Sequence, residues 1–202
     1  MGLCLWAVLI PTCFAETDKH KSILILGDSL SAAYGIPTEK SWVNLLSQQL
    51  SNQHKSYRLV NASISGDTTD GGLQRLPKLL SHHTPTIVLI ELGGNDGLRG
   101  FPLNLIQNNL TQLVKQAQAS GAKVLLAGMK IPPNYGRRYT TGFHQLYHRV
   151  AEENDAVLVG FLLDGIADNP ALMQADRIHP TAEAQPLIAK KIWTILSAYL
   201  QK

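Results

Sequence analysis

A serine, a histidine and an aspartate can together cleave an ester, provided that the chain folds them into one line. The hydroxyl is a weak nucleophile until a base accepts its proton, and the base works best when a third group orients it. The serine that invites this reading is Ser29, in SILILGDSLSAAYG (residues 22–35), where an apolar run stops at Gly27 and Asp28. The histidine is His179 in ADRIHPTAEAQ, with Asp176 three residues before it and Pro180 directly after. Proline is favoured in the first turn of a helix, which places His179 at or near the N-cap of a final helix. A backbone turning there lets Asp176 reach one ring nitrogen and leaves the other facing outward. Taken singly, an Asp-x-x-His pair is a common accident, and Asp28–Ser29 could be a plain strand exit.

The other histidines offer less. His20 lies near the start, and His54, His82 and His83 fall in polar, loop-like sequence. His144 and His148 have the i, i+4 spacing of two ligands on one helix face. They lack the glutamate of an HExxH motif and an evident third ligand, so a solvated helix face is the default and no metal is expected.

Residues this far apart in sequence need a scaffold to bring them together. Short runs rich in β-branched residues, at 22–26, 57–62, 86–92, 122–127 and 156–159, alternate with amphipathic stretches at about 42–52, 72–81, 103–120, 142–154 and 181–200. ILIL and TIVLIEL are almost continuously apolar, as expected of strands covered on both faces. Leu103, Ile106, Leu110, Leu113 and Val114 recur at helical spacing, and Gly121 follows where a helix stop belongs. Five strands alternating with helices predict an α/β three-layer sandwich: a flavodoxin-like, five-stranded parallel sheet with right-handed crossovers and helices on both faces.

In such sheets ligands bind beyond the carboxyl ends of the strands. The first three exits read Gly27-Asp28-Ser29-Leu30-Ser31, Ser63-Ile64-Ser65-Gly66-Asp67 and Gly93-Gly94-Asn95-Asp96-Gly97. All three combine hydrogen-bonding side chains with glycines that let backbone amides approach a ligand. Asp28 and Asp96 read as turn or backbone caps, and Ser31 and Ser65 as loop hydrogen-bonders. Glu91, at the end of a buried strand, requires a partner that the sequence does not reveal.

Taken together, GDSLS, the lone glycine of ASISGDTT, GGND and DRIHP resemble the GDSL/SGNH hydrolases, whose four letters fall here on Ser29, Gly66, Asn95 and His179. ELGGNDGLRG and GDSLSAAYGI look like the bacterial thioesterase I/lysophospholipase/arylesterase branch. The resemblance implies Ser29 as nucleophile, His179 as general base and Asp176 as its orienter. It implies an oxyanion hole of the Ser29 and Gly66 backbone amides and the Asn95 side chain, with no cofactor. Glycine at 66 leaves its N–H unobstructed, and Asn95 offers a neutral donor that a carboxylate could not. Fatty-acyl thioesters, lysophospholipids and aryl esters are the implied substrates. Leu98, Phe101, Pro102 and Leu103, facing Ile131, Pro132 and Pro133, are candidates for an acyl groove, and Gly97 and Gly100 for hinges of a loop closing over it. A carbohydrate acetylesterase on the same fold, or a non-catalytic flavodoxin-like binder, stand as alternatives. An orienter and base serve no purpose in the latter. The spacing disfavours G-x-S-x-G hydrolases, since position 31 is serine, and no nucleotide-binding glycine motif occurs.

Composition sets the outer bounds. With 202 residues, 45% hydrophobic and 16% charged, the chain suits one globular domain. A net charge of +3 without clustered cations and aromatics gives no reason to expect nucleic acid. The first 15 residues, MGLCLWAVLIPTCFA, hold a short apolar block and small residues before Ala15, though no Lys or Arg. They read as a secretory signal peptide cut after Ala15, too short to span a bilayer, which takes roughly 20 apolar residues. Both cysteines, Cys4 and Cys13, would leave with it, and Ile-Pro-Thr-Cys is a poor lipobox for anchoring at Cys13. The expectation is an exported, periplasmic or secreted single domain over 16–202, monomeric and not stably inserted in membrane.

Overall fold

The computed structural model describes residues 20–200. The signal-peptide reading of residues 1–15, with both cysteines, falls outside them.

Strands β1 (Lys21–Gly27), β2 (Tyr57–Asn61), β3 (Ile87–Glu91), β4 (Lys123–Gly128) and β5 (Val157–Phe161) form one parallel sheet in the order β2-β1-β3-β4-β5. Each strand is followed by helical crossovers: α1 (Trp42–Gln53), α2 (Thr69–His83), the short α3 (Gly94–Leu98), α4 (Leu103–Ala119), α5 (Arg137–Glu153) and α6 (Gln185–Leu196). The expected three-layer α/β fold is present. Successive strand residues point to opposite faces. Leu24 and Leu26 of β1 and Val88 and Ile90 of β3 therefore pack on α2, α4 and α5. Ile23, Ile25, Ile87 and Leu89 pack on α1 and α6. Burial on both faces explains why these strands read as unbroken apolar runs.

The elements differ from expectation where local chemistry overrides periodicity. Helix α3 is five residues of GNDGL, too short and too glycine-rich to show a helical pattern. The last helix does not start at Pro180: that residue makes an antiparallel bridge with Met173, and a 3-10 turn at Ala182–Ala184 leads into α6. His179 is thus in a bridged loop and not at an N-cap.

The sheet order reverses between β1 and β3, the point at which open α/β sheets leave a crevice. Ser29 follows β1 and Asn95 follows β3. Trp42, fully buried at the start of α1, donates its indole N–H to the Leu30 carbonyl at 3.0 Å, and its backbone N–H to Gln185 Oε1 of α6 at 3.0 Å. One residue thereby ties the serine turn to the two helices beneath it, by its indole and by its backbone N–H. Trp42→Ala is expected to cost about 3–5 kcal/mol of stability, measured by urea unfolding, because it empties a large core site and leaves the Leu30 carbonyl without its donor.

Candidate active site

Four loops at the carboxyl edge of the sheet build the site. Ser29 lies in a turn closed by Ala32 N–H on the Asp28 carbonyl and Tyr34 N–H on its own carbonyl. Its Oγ is 2.9 Å from His179 Nε2, a contact between residues 150 apart in sequence. His179 Nδ1 is 2.6 Å from Asp176 Oδ2. A carboxylate only accepts, so Nδ1 carries the proton and Nε2 is left to accept from the serine hydroxyl. Asp176 Oδ1 also accepts the backbone N–H groups of Ile178 at 2.9 Å and His179 at 3.0 Å. Partial burial acts to raise its pKa, but the His179 ring and these two amides outweigh it and hold the carboxyl below its ordinary value. Arg177 takes the left-handed conformation, φ 56°, in the turn between Asp176 and His179.

Gly66 has φ 80°, a region that side chains disfavour, and open space where a Cβ would stand. Among the described residues, neither its N–H nor that of Ser29 meets a protein acceptor. Asn95 Nδ2 donates to the Asp67 carbonyl at 2.9 Å and to Asp28 Oδ2 at 3.1 Å. The turn bearing Gly66 is fixed by the Asp67–Arg75 ion pair and by Asn95 itself. Asp96, buried, accepts both the backbone N–H and the hydroxyl of Thr69 at the head of α2, holding α3 against that helix.

The partner of Glu91 proves to be the turn that carries Ser29. Glu91 Oε2 accepts the Asp28 N–H at 3.1 Å and the Ser31 hydroxyl at 2.6 Å, while its Oε1 is buried without a hydrogen-bond partner. Gly27 is obligatory here, since a Cβ would lie 2.7–2.8 Å from Glu91 Oε2, Ser31 Oγ and Ser63 Oγ. Burial, and secondarily the Asp28 charge, push Glu91 well above the usual carboxyl range. Burial likewise lifts Asp28 to about 6, against the opposing effects of the Leu30 N–H, Glu91, His179 and Asn95. Both carboxyls thus stand where burial disfavours the charged form, and the Asp28 charge disfavours it further at Glu91.

The structure brings Ser29, Asp176 and His179 together and gathers the Gly66 and Asn95 segments at the same strand exits. The expected acyl-groove residues are placed less uniformly. Leu98 and Phe101 are half-buried, with their carbonyls held by the hydroxyls of Tyr135 at 2.7 Å and Tyr139 at 2.5 Å. Pro102 is exposed and caps α4, and Pro132 is half-exposed. Ile131 belongs to the buried core, packed where a Gly97 side chain would sit, so it backs this wall and does not line it. Gly97 is also buried, inside α3 against Phe143, and its smallness serves packing, whereas Gly100 has φ 70° and open space around it. A cavity of about 400 Å³ lies beside the wall, lined by Leu103, Tyr135, Gly136, Arg137, Arg138 and Tyr139. His144 and His148 stand with ring centroids 5.1 Å apart, and among the described residues no cluster of three metal-binding side chains occurs.

Tyr34 was not foreseen. Its ring lies 4.4 Å from the His179 ring, tilted by 37°. Gln174 holds the Tyr34 carbonyl at 2.9 Å and the Pro180 carbonyl at 3.1 Å. Nothing in the sequence marks a tyrosine five residues after the serine as a neighbour of a histidine near the far end.

The chain matches the GDSL-like lipase/acylhydrolase family model over residues 25–186. It belongs to the GDSL-like lipase/acylhydrolase family. It is 46% identical over 199 residues to the esterase TesA of Pseudomonas aeruginosa, covering 96% of this chain and 99% of the relative. It is 44% identical over 185 residues to the thioesterase 1/protease 1/lysophospholipase L1 of Escherichia coli strain K12, covering 92% and 86%. The crystal structure of the psychrotrophic esterase EstA from Pseudoalteromonas sp., inhibited by monoethylphosphonate, superposes with a TM-score of 0.85 at 47% identity, covering 90% of this chain and all of that one. Membership fixes the class of the chain as a serine esterase of the SGNH type.

The carboxyl pair beneath the serine gives a signed prediction. Both acids have folded pKa values above their ordinary 3.8 and 4.5. The folded chain therefore binds more protons than the unfolded one above about pH 4. The stabilisation, full at low pH, is lost as pH rises, for Asp28 through about 6 and for Glu91 well above its ordinary 4.5. Glu91→Gln removes one acid, so relative to the parent its thermal midpoint should rise between about pH 4.5 and pH 8. A parent-to-variant difference independent of pH would contradict the raised pKa of Glu91.

Proposed function

We propose that this protein hydrolyses acyl esters and thioesters through an acyl-enzyme on Ser29, with fatty-acyl thioesters, lysophospholipids and simple aryl esters as its substrate class. The observation carrying the reading is the line Asp176–His179–Ser29, at 2.6 and 2.9 Å. Ser29 Oγ attacks the carbonyl carbon while His179 Nε2 takes the hydroxyl proton, and Asp176 stabilises the imidazolium that results. The carbonyl oxygen becomes an oxyanion, received by the Ser29 and Gly66 N–H groups and by Asn95 Nδ2, which exchanges its longer bond to Asp28 for it. The tetrahedral adduct collapses as His179 returns its proton to the departing alcohol or thiol. Water then repeats the sequence on the acyl-serine, releasing the acid and restoring the hydroxyl.

The acyl chain is assigned to the wall of Leu98, Phe101 and Pro102 and the recess beside it, with Pro132 at its edge. No residue of the Ser29 constellation lines that recess, so the reacting end of the substrate must bridge from one to the other. Residues 1–15 are read as an export signal, which places the mature enzyme outside the cytoplasm. Amino-terminal sequencing of the protein from a periplasmic or culture fraction should begin at Glu16.

Ser29→Ala should abolish turnover of p-nitrophenyl butyrate, and a fluorophosphonate should add one phosphonyl group to the parent and none to the variant, as read by intact mass. Asn95→Ala should lower kcat by about a hundred- to a thousand-fold with little change in KM, the cost of one missing oxyanion donor. An Asn95→Ala enzyme with parental kcat would remove that residue from the oxyanion hole. A panel of acyl-CoAs, lysophospholipid, aryl esters and acetylated sugars ranks the substrates, and preference for the acetylated sugars would replace this reading with a carbohydrate esterase.

A further inference from the structure

Among the described residues six large apolar side chains are exposed, and three of them stand on the loops around Ser29. Tyr34, 52% exposed, belongs to the turn after β1 and lies against the His179 ring. Ile64, 51% exposed, opens the turn that carries Gly66, its carbonyl accepting the Asp67 N–H. Ile178, 37% exposed, immediately precedes His179. Three separate segments thus each present an apolar side chain to solvent at the rim of one site, where water-facing loops ordinarily carry polar ones.

Cations stand among them. Arg99, exposed at the end of α3, donates to the Gly66 carbonyl at 3.1 Å, and Arg177, also exposed, adjoins Ile178. Neither has a carboxylate partner among the described residues, whose ion pairs are Arg75–Asp67 and His179–Asp176. The acids of this rim are engaged: Asp67 by Arg75, Asp176 by His179, and Asp28 and Glu91 beneath the surface. A ring that is apolar and bears two arginines, with Asp67 paired and Asp28 and Glu91 buried, outweighs the partly exposed Asp176 carboxylate and complements a surface of acyl chains under anionic headgroups.

We propose that the rim formed by Tyr34, Ile64, Ile178, Arg99 and Arg177 docks on an anionic phospholipid surface, seating the mouth of the serine site at the headgroup level. The isoleucines and the tyrosine enter the interface and the arginines meet lipid phosphates. A long-chain ester then passes from the lipid to Ser29 without crossing bulk water. The purpose of this docking rests on the proposed esterase activity; the binding itself does not.

The test uses the full-length chain carrying Ser29→Ala, which leaves the lipid intact, and sedimentation with vesicles of phosphatidylcholine alone or of phosphatidylcholine and phosphatidylglycerol at 3:1. The protein should partition to the anionic vesicles and be released by salt. Ile64→Ser/Ile178→Ser should weaken partitioning about tenfold or more, and Arg177→Gly, which suits the left-handed backbone there, about fivefold. All variants share one background, so any contribution of the apolar N-terminus cancels. In the Ser29-intact chain, Ile64→Ser/Ile178→Ser should hydrolyse soluble p-nitrophenyl butyrate at the parental rate, showing an intact fold. Equal partitioning to both vesicle types would overturn the proposal. So would anion-dependent binding that ignores the isoleucine substitutions, which would mark a cationic patch for an acidic protein. Loss of ester turnover in the parent with lipid binding retained would defeat the esterase reading and spare this one.

Discussion

Everything at this site depends on one contact, the 2.9 Å approach of His179 to Ser29. Holding two reacting groups in register converts a collision into an internal step, and a displacement of about an ångström forfeits much of that advantage. Neither residue belongs to a regular element. Ser29 is held by the buried β1 below it and by Trp42, whose indole fixes the next carbonyl. His179 is held by Asp176, by the Met173–Pro180 bridge, and through Gln174, which joins the Pro180 carbonyl to that of Tyr34. The same α1–α6 face carries both supports, since Gln185 at the head of α6 accepts from Trp42 at the head of α1. Packing on that face is therefore what sets the Ser29–His179 geometry on which the proposed proton transfer relies.

Acidic side chains close to the serine have environments that push them apart. Asp176 is partly exposed and takes three hydrogen bonds from N–H groups, which keep it ionised. Glu91, fully buried, is pushed toward its neutral form first by burial and then by the Asp28 charge beside it. In the proposed mechanism a second full negative charge under the serine would oppose the oxyanion and alkoxide character developing above it. The burial that disfavours charge at Glu91 limits that opposition, while Asp28 accepts from Asn95. Chemically similar carboxyls thus serve as orienter and as support because solvent reaches one and not the other.

Much of this was legible in the sequence because it is written in local patterns. Unbroken apolar runs reveal buried strands, and the residues just past them reveal what the sheet edge presents. Ser29, Gly66 and Asn95 lie at those exits, whereas Asp176 and His179 are read from their spacing before Pro180. Only the resemblance of the motif set to the GDSL/SGNH hydrolases assigns them roles. What escaped was set by contacts between distant segments. Tyr34 over His179 and Ser31 under Glu91 bring together residues whose separations carry no periodic signal. Pro180 favoured a helix start, but a backbone bridge to Met173 took it instead. Ile131 and Gly97 looked available to a ligand, yet Phe143 from α5 closes over that space.

On the proposed reading, the wall beyond Asn95 separates selectivity from reactivity. Its loop carbonyls at Leu98 and Phe101 are gripped by two tyrosine hydroxyls from the segment after β4, so its position is transmitted across the sheet edge from Tyr135 and Tyr139. Among the described residues, Ser29, Asp176 and His179 make no hydrogen bond to any of those residues. Substitution along the 131–139 segment can therefore reshape the space beside the scissile bond while leaving the Ser29–His179 distance to the β1, α1 and α6 side. A chain that keeps its proton-transfer geometry on one layer and its wall on the other can change what it accepts without rebuilding how it reacts, because the two depend on different hydrophobic clusters.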